Sequence, residues 1–114
     1  MKLYEENKDF FKSVHDVVRL IPVGKVTSYG AIAKYLSSPK ASRMVGWAMN
    51  AAAKESDIPA HRVVNRNGVL TGKNHFAGSD EMANRLKQEG IKVVKDEIVD
   101  FKDHFWDPNE ALKL

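Results

Sequence analysis

The apolar residues near the amino terminus recur on one side of a helix. Between residues 6 and 21 they are Phe10, Val14, Val17, Val18 and Ile21. Mostly polar residues lie between them, and Pro22 ends the pattern because proline cannot continue a helix. The spacing predicts an amphipathic helix over residues 6–21 that buries one face.

Two more helices are predicted on either side of a short break. Ser28 is a suitable N-cap for a helix over residues 28–36, and a second helix follows over residues 41–53. Residues 37–40 form the turn between them. This order is typical of a helix-turn-helix, and the small residues of the second helix suit close approach to a neighbouring helix or a DNA groove. Such helix pairs also occur in domains that never touch DNA, so the pattern alone leaves the function open.

Short extended segments follow the helix pair. Residues 58–64 are predicted to form a turn that leads into a short strand. Residues 65–68 contain Asn-Gly, a strong turn dipeptide, and Val69–Leu70 would be the returning strand. The β structure is therefore expected to be small.

The last predicted helix spans residues 79–89. Ser79 would be its N-cap, and Gly90 follows its final residue, where glycine commonly ends a helix. Residues 91–114 alternate enough to predict a small hairpin or an extended tail. The pattern as a whole indicates a mainly α domain with a small β element.

Length and composition fit one domain. The chain has 114 residues, of which 43% are hydrophobic, enough for one core. We expect a single domain over residues 1–114, with a core of residues 7–95 and a C-terminal tail of residues 96–114. No secretory signal and no long apolar stretch is present in this sequence, so we expect a cytoplasmic protein without membrane contact.

The charge is unevenly distributed. Between Arg19 and Lys73 there are nine basic residues and two acidic ones, whereas from Phe76 onwards there are six basic and nine acidic. A basic centre favours a polyanionic partner, and an acidic end favours a solvated tail. The chain contains no cysteine, which excludes disulfides, zinc–thiolate sites and thiolate catalysis within it.

Four segments carry a resemblance to a known family. They are Ile21–Gly30, Ala41–Gly46, Pro59–Val64 and Leu86–Gly90. In order and separation they resemble the DNA-binding domain of the O6-alkylguanine-DNA alkyltransferases. The resemblance implies a winged helix-turn-helix of the alkyltransferase C-terminal-domain type.

Residue 60 departs from the enzymes of that family. They carry a nucleophilic cysteine where this chain has Ala60. Alkyl transfer needs a thiolate, and alanine has no side chain able to attack an alkyl carbon. In this respect the chain resembles the alkyltransferase-like proteins, non-enzymatic homologues that bind alkylated guanine and flag it for nucleotide excision repair. We therefore expect a non-enzyme.

The resemblance implies DNA-binding roles for seven residues. Tyr29 would help to rotate the damaged nucleotide out of the duplex, and Arg43 would fill the space that the base leaves. The other contacts would come from Ser28, Ser42, Gly46, Asn50 and Arg66. Taken without the resemblance, Tyr29 is a partly buried tyrosine at a helix start, and Arg43 is a solvated or phosphate-bound arginine.

A pocket for the extruded base is implied in the same way. Its expected residues are Tyr29, Trp47, Ala60, Val63, His75 and Phe76. The main-chain carbonyls of Ala60 and Val63 would accept hydrogen bonds from the guanine. The small Ala60 would leave room for alkyl groups bulkier than methyl. Trp47, considered by itself, is more typical of a core residue.

His61 and Glu89 match the pair that draws the proton from the cysteine in active relatives. Here they have nothing to activate, so we expect them to be vestigial, with His61 a hydrogen-bonded core histidine and Arg62 a brace inside the domain. Ala52 and Met82 replace an asparagine and a lysine that support the reactive site. Both departures fit a protein without catalysis.

The expected partners are double-stranded DNA containing O6-alkylguanine and proteins of nucleotide excision repair, with the chain a monomer. No cofactor is expected, and no metal, because His61, His75 and Glu89 lack ligand-like spacing.

Two alternatives stay open. One is a transferase that uses Tyr29, His61 or Lys73 as its nucleophile. The other is a general DNA-binding or regulatory module that has lost lesion recognition.

Overall fold

The computed structural model describes residues 2–53, 55 and 57–113, with side chains from residue 8 onwards. Its helices and strands are, in chain order, α1 (Lys2–Arg19), β1 (Thr27–Ser28), α2 (Tyr29–Tyr35), α3 (Ser42–Ala52), β2 (Val63–Val64), α4 (Glu81–Gln88), β3 (Val93–Val94), β4 (Glu97–Ile98), α5 (Phe101–His104) and α6 (Pro108–Ala111). Single 3-10 turns occupy Ala60–Arg62 and Lys73–His75. The fold is mainly α with a small β component, as the sequence predicts. Lys54, one of the basic residues counted above, lies outside the described residues.

Helix α1 buries the apolar face that its spacing predicts. Val14 and Val18 are fully buried, and the helix packs on α3, where Ala48 and Ala52 are also fully buried. These small side chains let the two backbones approach, and Nε2 of His15 lies 2.8 Å from the Ala48 carbonyl oxygen. Part of the small-residue character of α3 therefore serves a neighbouring helix. The helix α1 is confirmed, although both its ends lie earlier in the chain than predicted.

Helices α2 and α3 form the predicted helix-turn-helix. The Ser28 hydroxyl accepts a hydrogen bond from the Ala31 amide at 3.1 Å, which confirms Ser28 as the N-cap of α2. The chain then reverses through Ser37, whose φ of 60° lies in the left-handed region. Helix α3 begins without a side-chain cap.

A small parallel sheet joins the helix pair to the second half of the chain. Strand β1 pairs with β2, with the partners Thr27–Val63 and Ser28–Val64. The predicted turn at residues 65–68 is confirmed, with Gly68 at a φ of 79°. Val69 returns beside Asn65, the residue after β2: the Asn65 amide donates to the Val69 carbonyl at 3.1 Å, and the Val69 amide donates to the Asn65 side chain at 2.8 Å. The expected strand at Val69–Leu70 is nevertheless wrong, because Val69 forms only an isolated bridge, with Glu97.

Helix α4 carries one side of a second core. It starts at Glu81, with Asp80 rather than Ser79 before it and no side-chain cap, so the predicted N-cap is wrong. Gly90 follows with a φ of 85°, which is the predicted glycine stop. The buried residues of this second cluster are Val26, Val64, Leu70, Met82, Ala83, Leu86, Ile91, Val93 and Ile98.

Residues 96–113 pack against the domain instead of forming an extended solvated tail. The hairpin is confirmed by the antiparallel pair β3–β4. Beyond it, the Val26 amide donates to the His104 carbonyl at 2.9 Å, and the Trp106 amide donates to the Val26 carbonyl at 2.7 Å. The Asn109 side chain donates to the Ala31 carbonyl at 3.2 Å. Although this segment is acidic, its aromatic side chains allow it to pack against the domain.

Candidate nucleic-acid interface and nucleotide pocket

One face of α3 is left open to solvent. Ser42, Gly46 and Asn50 share this face, and Asn50 is exposed. A Cβ added to Gly46 would meet no described atom within 4 Å, so the glycine is not required for packing inside the chain. Ser42 lies near Gly30, where an added Cβ would be 3.7 Å from the serine Oγ. The centre of this face therefore carries only small side chains, and such a helix surface can approach a DNA groove closely.

Arg43 lies at the start of this helix and is exposed. Within the described part of the chain its guanidinium has no hydrogen bond or ion pair. A cation near the N-terminus of a helix opposes the helix dipole, so this position is not stabilised by the helix itself. The side chain is therefore available for an external anion.

Arg43 also borders an open groove of about 720 Å³. The lining is Ser38, Pro39, Lys40, Ala41, Arg43, Met44 and Trp47. Trp47, which the sequence assigned to the nucleotide pocket, lies here with 39% of its surface exposed. The structure therefore separates Trp47 from the other expected pocket residues.

A narrow cavity brings together the remaining expected pocket residues. Its lining is Tyr29, Met49, Ala60, Val63, Gly72, His75, Phe76 and Met82. The sequence singled out five of these for the pocket and missed Met49, Gly72 and Met82 in that role. The free space is about 10 Å³, which holds no more than about one water molecule. The cavity is therefore closed in this conformation.

Two contacts define the walls of this cavity. A Cβ on Gly72 would lie 3.0 Å from the Tyr29 hydroxyl, so only a glycine leaves the phenol its present position. On the other side, the Arg85 guanidinium lies 5.3 Å from the centre of the Phe76 ring, a cation–π distance. Arg85 is itself bonded to Glu81 at 2.6 Å. Both aromatic walls are therefore supported by specific neighbours.

Near Ala60, the partly buried carboxylate of Glu89 accepts hydrogen bonds from four donor atoms. Glu89 accepts hydrogen bonds from the Arg62 guanidinium at 2.8–3.1 Å, from the Gly24 amide at 3.0 Å and from His61 Nε2 at 2.6 Å. Burial raises the pKa of Glu89, but these hydrogen bonds outweigh it and lower the pKa to about 2. Arg62 also donates to the Ile21 carbonyl at 2.8 Å, so it braces the domain from inside.

The protonation of His61 follows from its surroundings. Burial lowers the pKa of His61, and the Glu89 carboxylate offsets this only in part, so the imidazole is neutral at pH 7. Because an ionised carboxylate can only accept, the single hydrogen of the neutral ring is on Nε2, facing Glu89. Nδ1 is then a buried acceptor without a partner among the described residues.

Arg66 and Ser28 lie together at a different groove. It has a volume of about 280 Å³ and is lined by Ser28, Arg66, Phe101, Lys102 and Phe105. The Ser28 hydroxyl is occupied by the helix cap, whereas the Arg66 side chain is exposed. Of the seven expected DNA contacts, the structure thus places Ser42, Arg43, Gly46 and Asn50 on α3 and the other three along the ends of β1 and β2.

Two further features of the described chain bear on function. Its helices lack either the length or the apolar character that a membrane crossing requires. In the same residues, no three His, Asp or Glu side chains converge as metal ligands.

Known proteins match this geometry over most of the chain. Residues 9–91 match the family described as the DNA binding domain of 6-O-methylguanine DNA methyltransferase. Alkyltransferase-like protein 1 of Schizosaccharomyces pombe is 35% identical over 104 residues, which is 88% of this chain and 96% of that protein. The DNA base-flipping protein of Escherichia coli is 36% identical over 104 residues, covering 90% of this chain and 78% of that protein.

The fold agrees with the sequence match. The crystal structure of S. pombe Atl1 in complex with damaged DNA containing O6-carboxymethylguanine has a TM-score of 0.79 at 34% identity, covering 89% of this chain and 97% of that one. The resemblance inferred from the four sequence segments is thereby confirmed. The chain belongs to the family of the O6-methylguanine DNA methyltransferase DNA-binding domain, as one of its alkyltransferase-like proteins.

Proposed function

We propose that this protein binds O6-alkylguanine in duplex DNA without transferring the alkyl group. Helix α3 docks in the minor groove, and the damaged nucleotide rotates into the cavity beside Ala60. The bound protein, acting as a monomer, then marks the lesion for nucleotide excision repair. One observation carries the proposal: a residue without a nucleophile lies in a cavity whose other walls include Tyr29, Val63, His75 and Phe76.

The neighbouring side chains support a non-catalytic role. The His61 Nε2 donates to Glu89, and the Lys73 Nζ forms an ion pair with Asp96, so neither of these two nitrogens is free to attack. A hydroxyl such as that of Tyr29 and a neutral imidazole are also weaker nucleophiles toward an alkyl carbon than a thiolate. The three residues considered as substitutes for cysteine are therefore poorly suited to attack an alkyl carbon.

The relatives support lesion binding. The S. pombe homologue has been crystallised with DNA containing O6-carboxymethylguanine, and the E. coli homologue is named a base-flipping protein. Carboxymethyl is bulkier than methyl, which agrees with a pocket that has alanine at its base. By similarity, this protein accepts a range of O6-alkyl groups.

Arg43 supports the flipping step. Its guanidinium, which pairs with none of the described residues, lies at the exposed start of α3, next to the face formed by Ser42, Gly46 and Asn50. Removing a base from the stack costs a few kcal/mol, and a planar cation that stacks in the gap offsets part of that cost. Because the cavity is closed in the free protein, its aromatic walls have to move apart when the base enters.

A paired titration tests the proposal. Fluorescently labelled duplexes of one sequence would carry guanine, O6-methylguanine or O6-carboxymethylguanine at one position. We expect tighter binding of both modified duplexes, full release by competitor DNA, and an unchanged intact protein mass after incubation. Equal affinity for all three duplexes would disprove lesion recognition. A gain in protein mass equal to the alkyl group would establish a transferase.

The closed cavity also favours one rival, a general DNA-binding module. Such a protein would bind modified and unmodified duplexes alike and would not open the pocket. The fluorescence of 2-aminopurine placed opposite or beside the lesion separates the two. A lesion reader raises this signal by unstacking the neighbouring base, whereas a general binder leaves it unchanged.

A further inference from the structure

A second groove opens beside the nucleotide pocket and has a different chemical character. Two cationic side chains, Arg66 and Lys102, border it, and its apolar lining comes from Phe101 and Phe105. The two rings are 5.5 Å apart at their centres and tilted by 58°. We call this the Arg66–Lys102 groove. It combines positive charge with aromatic surface, the pairing that proteins use along a nucleic-acid backbone.

The groove and the pocket are lined by residues close together in the chain around β1 and β2. Ser28, the last residue of β1, lines the groove, and the next residue, Tyr29, which begins α2, lines the pocket. Val63 of β2 lines the pocket, and Arg66, two residues beyond the end of that strand, lines the groove. A nucleotide that enters the pocket therefore brings its flanking backbone close to the groove.

The two cations are held on elements that are docked to each other. Arg66 lies in the turn of residues 65–68, where the Asn65 side chain accepts the Asn67 amide at 2.9 Å. Gly68 closes that turn against Phe101, because a Cβ on Gly68 would lie 3.0 Å from the ring. Lys102 follows Phe101 directly in α5. The backbone segments that carry the two cations are thus held next to each other by packing.

Neither cation has a partner inside the described chain. Arg66 and Lys102 are exposed, and no hydrogen bond or ion pair is made by either among the residues that the structure describes. Asp100 and Asp103 lie on the same segment as Lys102, but they do not line the groove. The net character of the groove is therefore cationic.

We propose that the Arg66–Lys102 groove binds the sugar–phosphate backbone of the lesion strand beside the extruded nucleotide. Arg66 and Lys102 contact phosphates, and the phenylalanine rings contact the apolar faces of the deoxyriboses. The C-terminal segment thereby contributes directly to DNA binding, although it lies beyond the residues that match the family domain. This inference rests on the proposed function for the identity of the strand but not for the phosphate contact itself.

The salt dependence of binding tests the phosphate contact. A lost phosphate contact lowers the slope of log K against log salt by about 0.9. We expect Lys102→Ala to lower the slope by that amount and to weaken binding about 3- to 10-fold at low salt, on modified and unmodified duplexes alike. The matched control is Lys8→Ala, which removes one charge from α1, the helix that packs behind α3. An unchanged slope for Lys102→Ala, or an equal change for Lys8→Ala, would overturn the groove assignment.

A second measurement locates the contact. Duplexes with one neutral methylphosphonate linkage, placed at successive positions from the lesion, would be titrated with the wild type and with Lys102→Ala. We expect one linkage next to the lesion nucleotide to weaken the wild type but not the variant, since the charge pair is then already lost. If every linkage affects both proteins equally, the proposal fails. A wild type without lesion preference would instead defeat the proposed function, while the slope on unmodified DNA would still test the groove.

Discussion

The hydroxyl of Tyr29 lies so close to Gly72 that a Cβ on residue 72 would come within 3.0 Å of it. This contact joins the start of α2 to the loop that forms the far wall of the cavity beside Ala60. Gly72 has a φ of −88°, which any residue adopts, so the glycine is not needed for backbone conformation. Glycine is needed here because a larger side chain at residue 72 would crowd the phenol of Tyr29.

Gly72→Ala should therefore impair lesion recognition without unfolding the protein. The added methyl group overpacks the site by about 1 kcal/mol and displaces the Tyr29 ring from the strand it would contact. We expect the ratio of affinities for modified and unmodified duplexes to fall while the thermal unfolding midpoint drops by only about 4 °C. Gly78→Ala is the control in the same loop, because its Cβ would meet no described atom within 4 Å. Equal lesion preference in both variants would disprove the role of this contact.

Arg43 offers a test that separates flipping from simple attraction. Arg43→Ala should weaken binding to modified DNA by roughly 1–3 kcal/mol, because the gap left by the base is no longer filled. Arg43→Lys keeps the charge but lacks the planar guanidinium, so it should restore binding to unmodified DNA and not the lesion preference. Both would be measured by anisotropy titration on paired duplexes. A lysine variant with full preference would reduce Arg43 to a phosphate contact.

The parts of the structure that the sequence predicts well are those with a local cause. Helical spacing in α1, the serine cap at Ser28 and the glycine stop at Gly90 each depend on a few neighbouring residues. The expected N-cap Ser79 is wrong because helix α4 begins at Glu81. Asp80 occupies the cap position, and its side chain makes no cap bond.

The parts that the sequence could not predict depend on distant contacts. Trp47 is set outside the pocket by the orientation of α3, which the spacing of its own residues does not fix. Gly72 carried no signal because its neighbour, the Tyr29 hydroxyl, is 43 residues away in the chain. The acidic charge of the segment after β4 predicts a solvated tail. In the structure, Phe105 and Trp106 hold this segment against the domain through backbone contacts with Val26.

The docking of that segment makes its own prediction. Trp106 is half-buried against the core that α1 and α3 form. Trp106→Ala should lower the free energy of unfolding by about 3 kcal/mol, since a large ring is removed from a packed site. Urea unfolding followed by circular dichroism would measure it, with Leu20→Ala, a residue that is 56% exposed, as the control. A change for Trp106→Ala as small as that control would mean that the segment adds nothing to the fold.

Glu89 should be a stabilising residue even though there is no thiol to activate. The Arg62 side chain is 14% exposed, and Glu89→Gln would leave its guanidinium without a counter-charge. We expect this loss to lower the free energy of unfolding by about 3 kcal/mol. Glu81→Gln is the control, because its pair with Arg85 is about 40% exposed and worth little. Chemical unfolding at pH 7 would compare them. If the two substitutions cost the same, the buried network would not be a source of stability.

The pKa values of the same network predict how acid unfolds the protein. The pKa of Glu89 falls from 4.5 to about 2 on folding, so its contribution is complete above pH 4.5 and is lost between pH 4.5 and 2. The pKa of His61 is also lowered, from 6.5, so the unfolded chain takes up this proton first. His61 therefore favours folding above pH 6.5 and loses that contribution as the pH falls. Both groups act in the same direction: the contribution of His61 begins to fall below pH 6.5, and that of Glu89 below pH 4.5.

His61→Gln should remove the first of these two steps. Glutamine keeps a donor for Glu89 but cannot be protonated, so the free energy of unfolding should become flatter between pH 7 and 5 while the step below pH 4.5 persists. Denaturant titrations at half-unit pH intervals would show this. His75→Gln, which changes an exposed histidine that does not contact Glu89, is the matched control. If His61→Gln retained the wild-type slope, the first step would belong to another group. The assignment of a neutral His61 that donates to Glu89 through Nε2 would then be wrong.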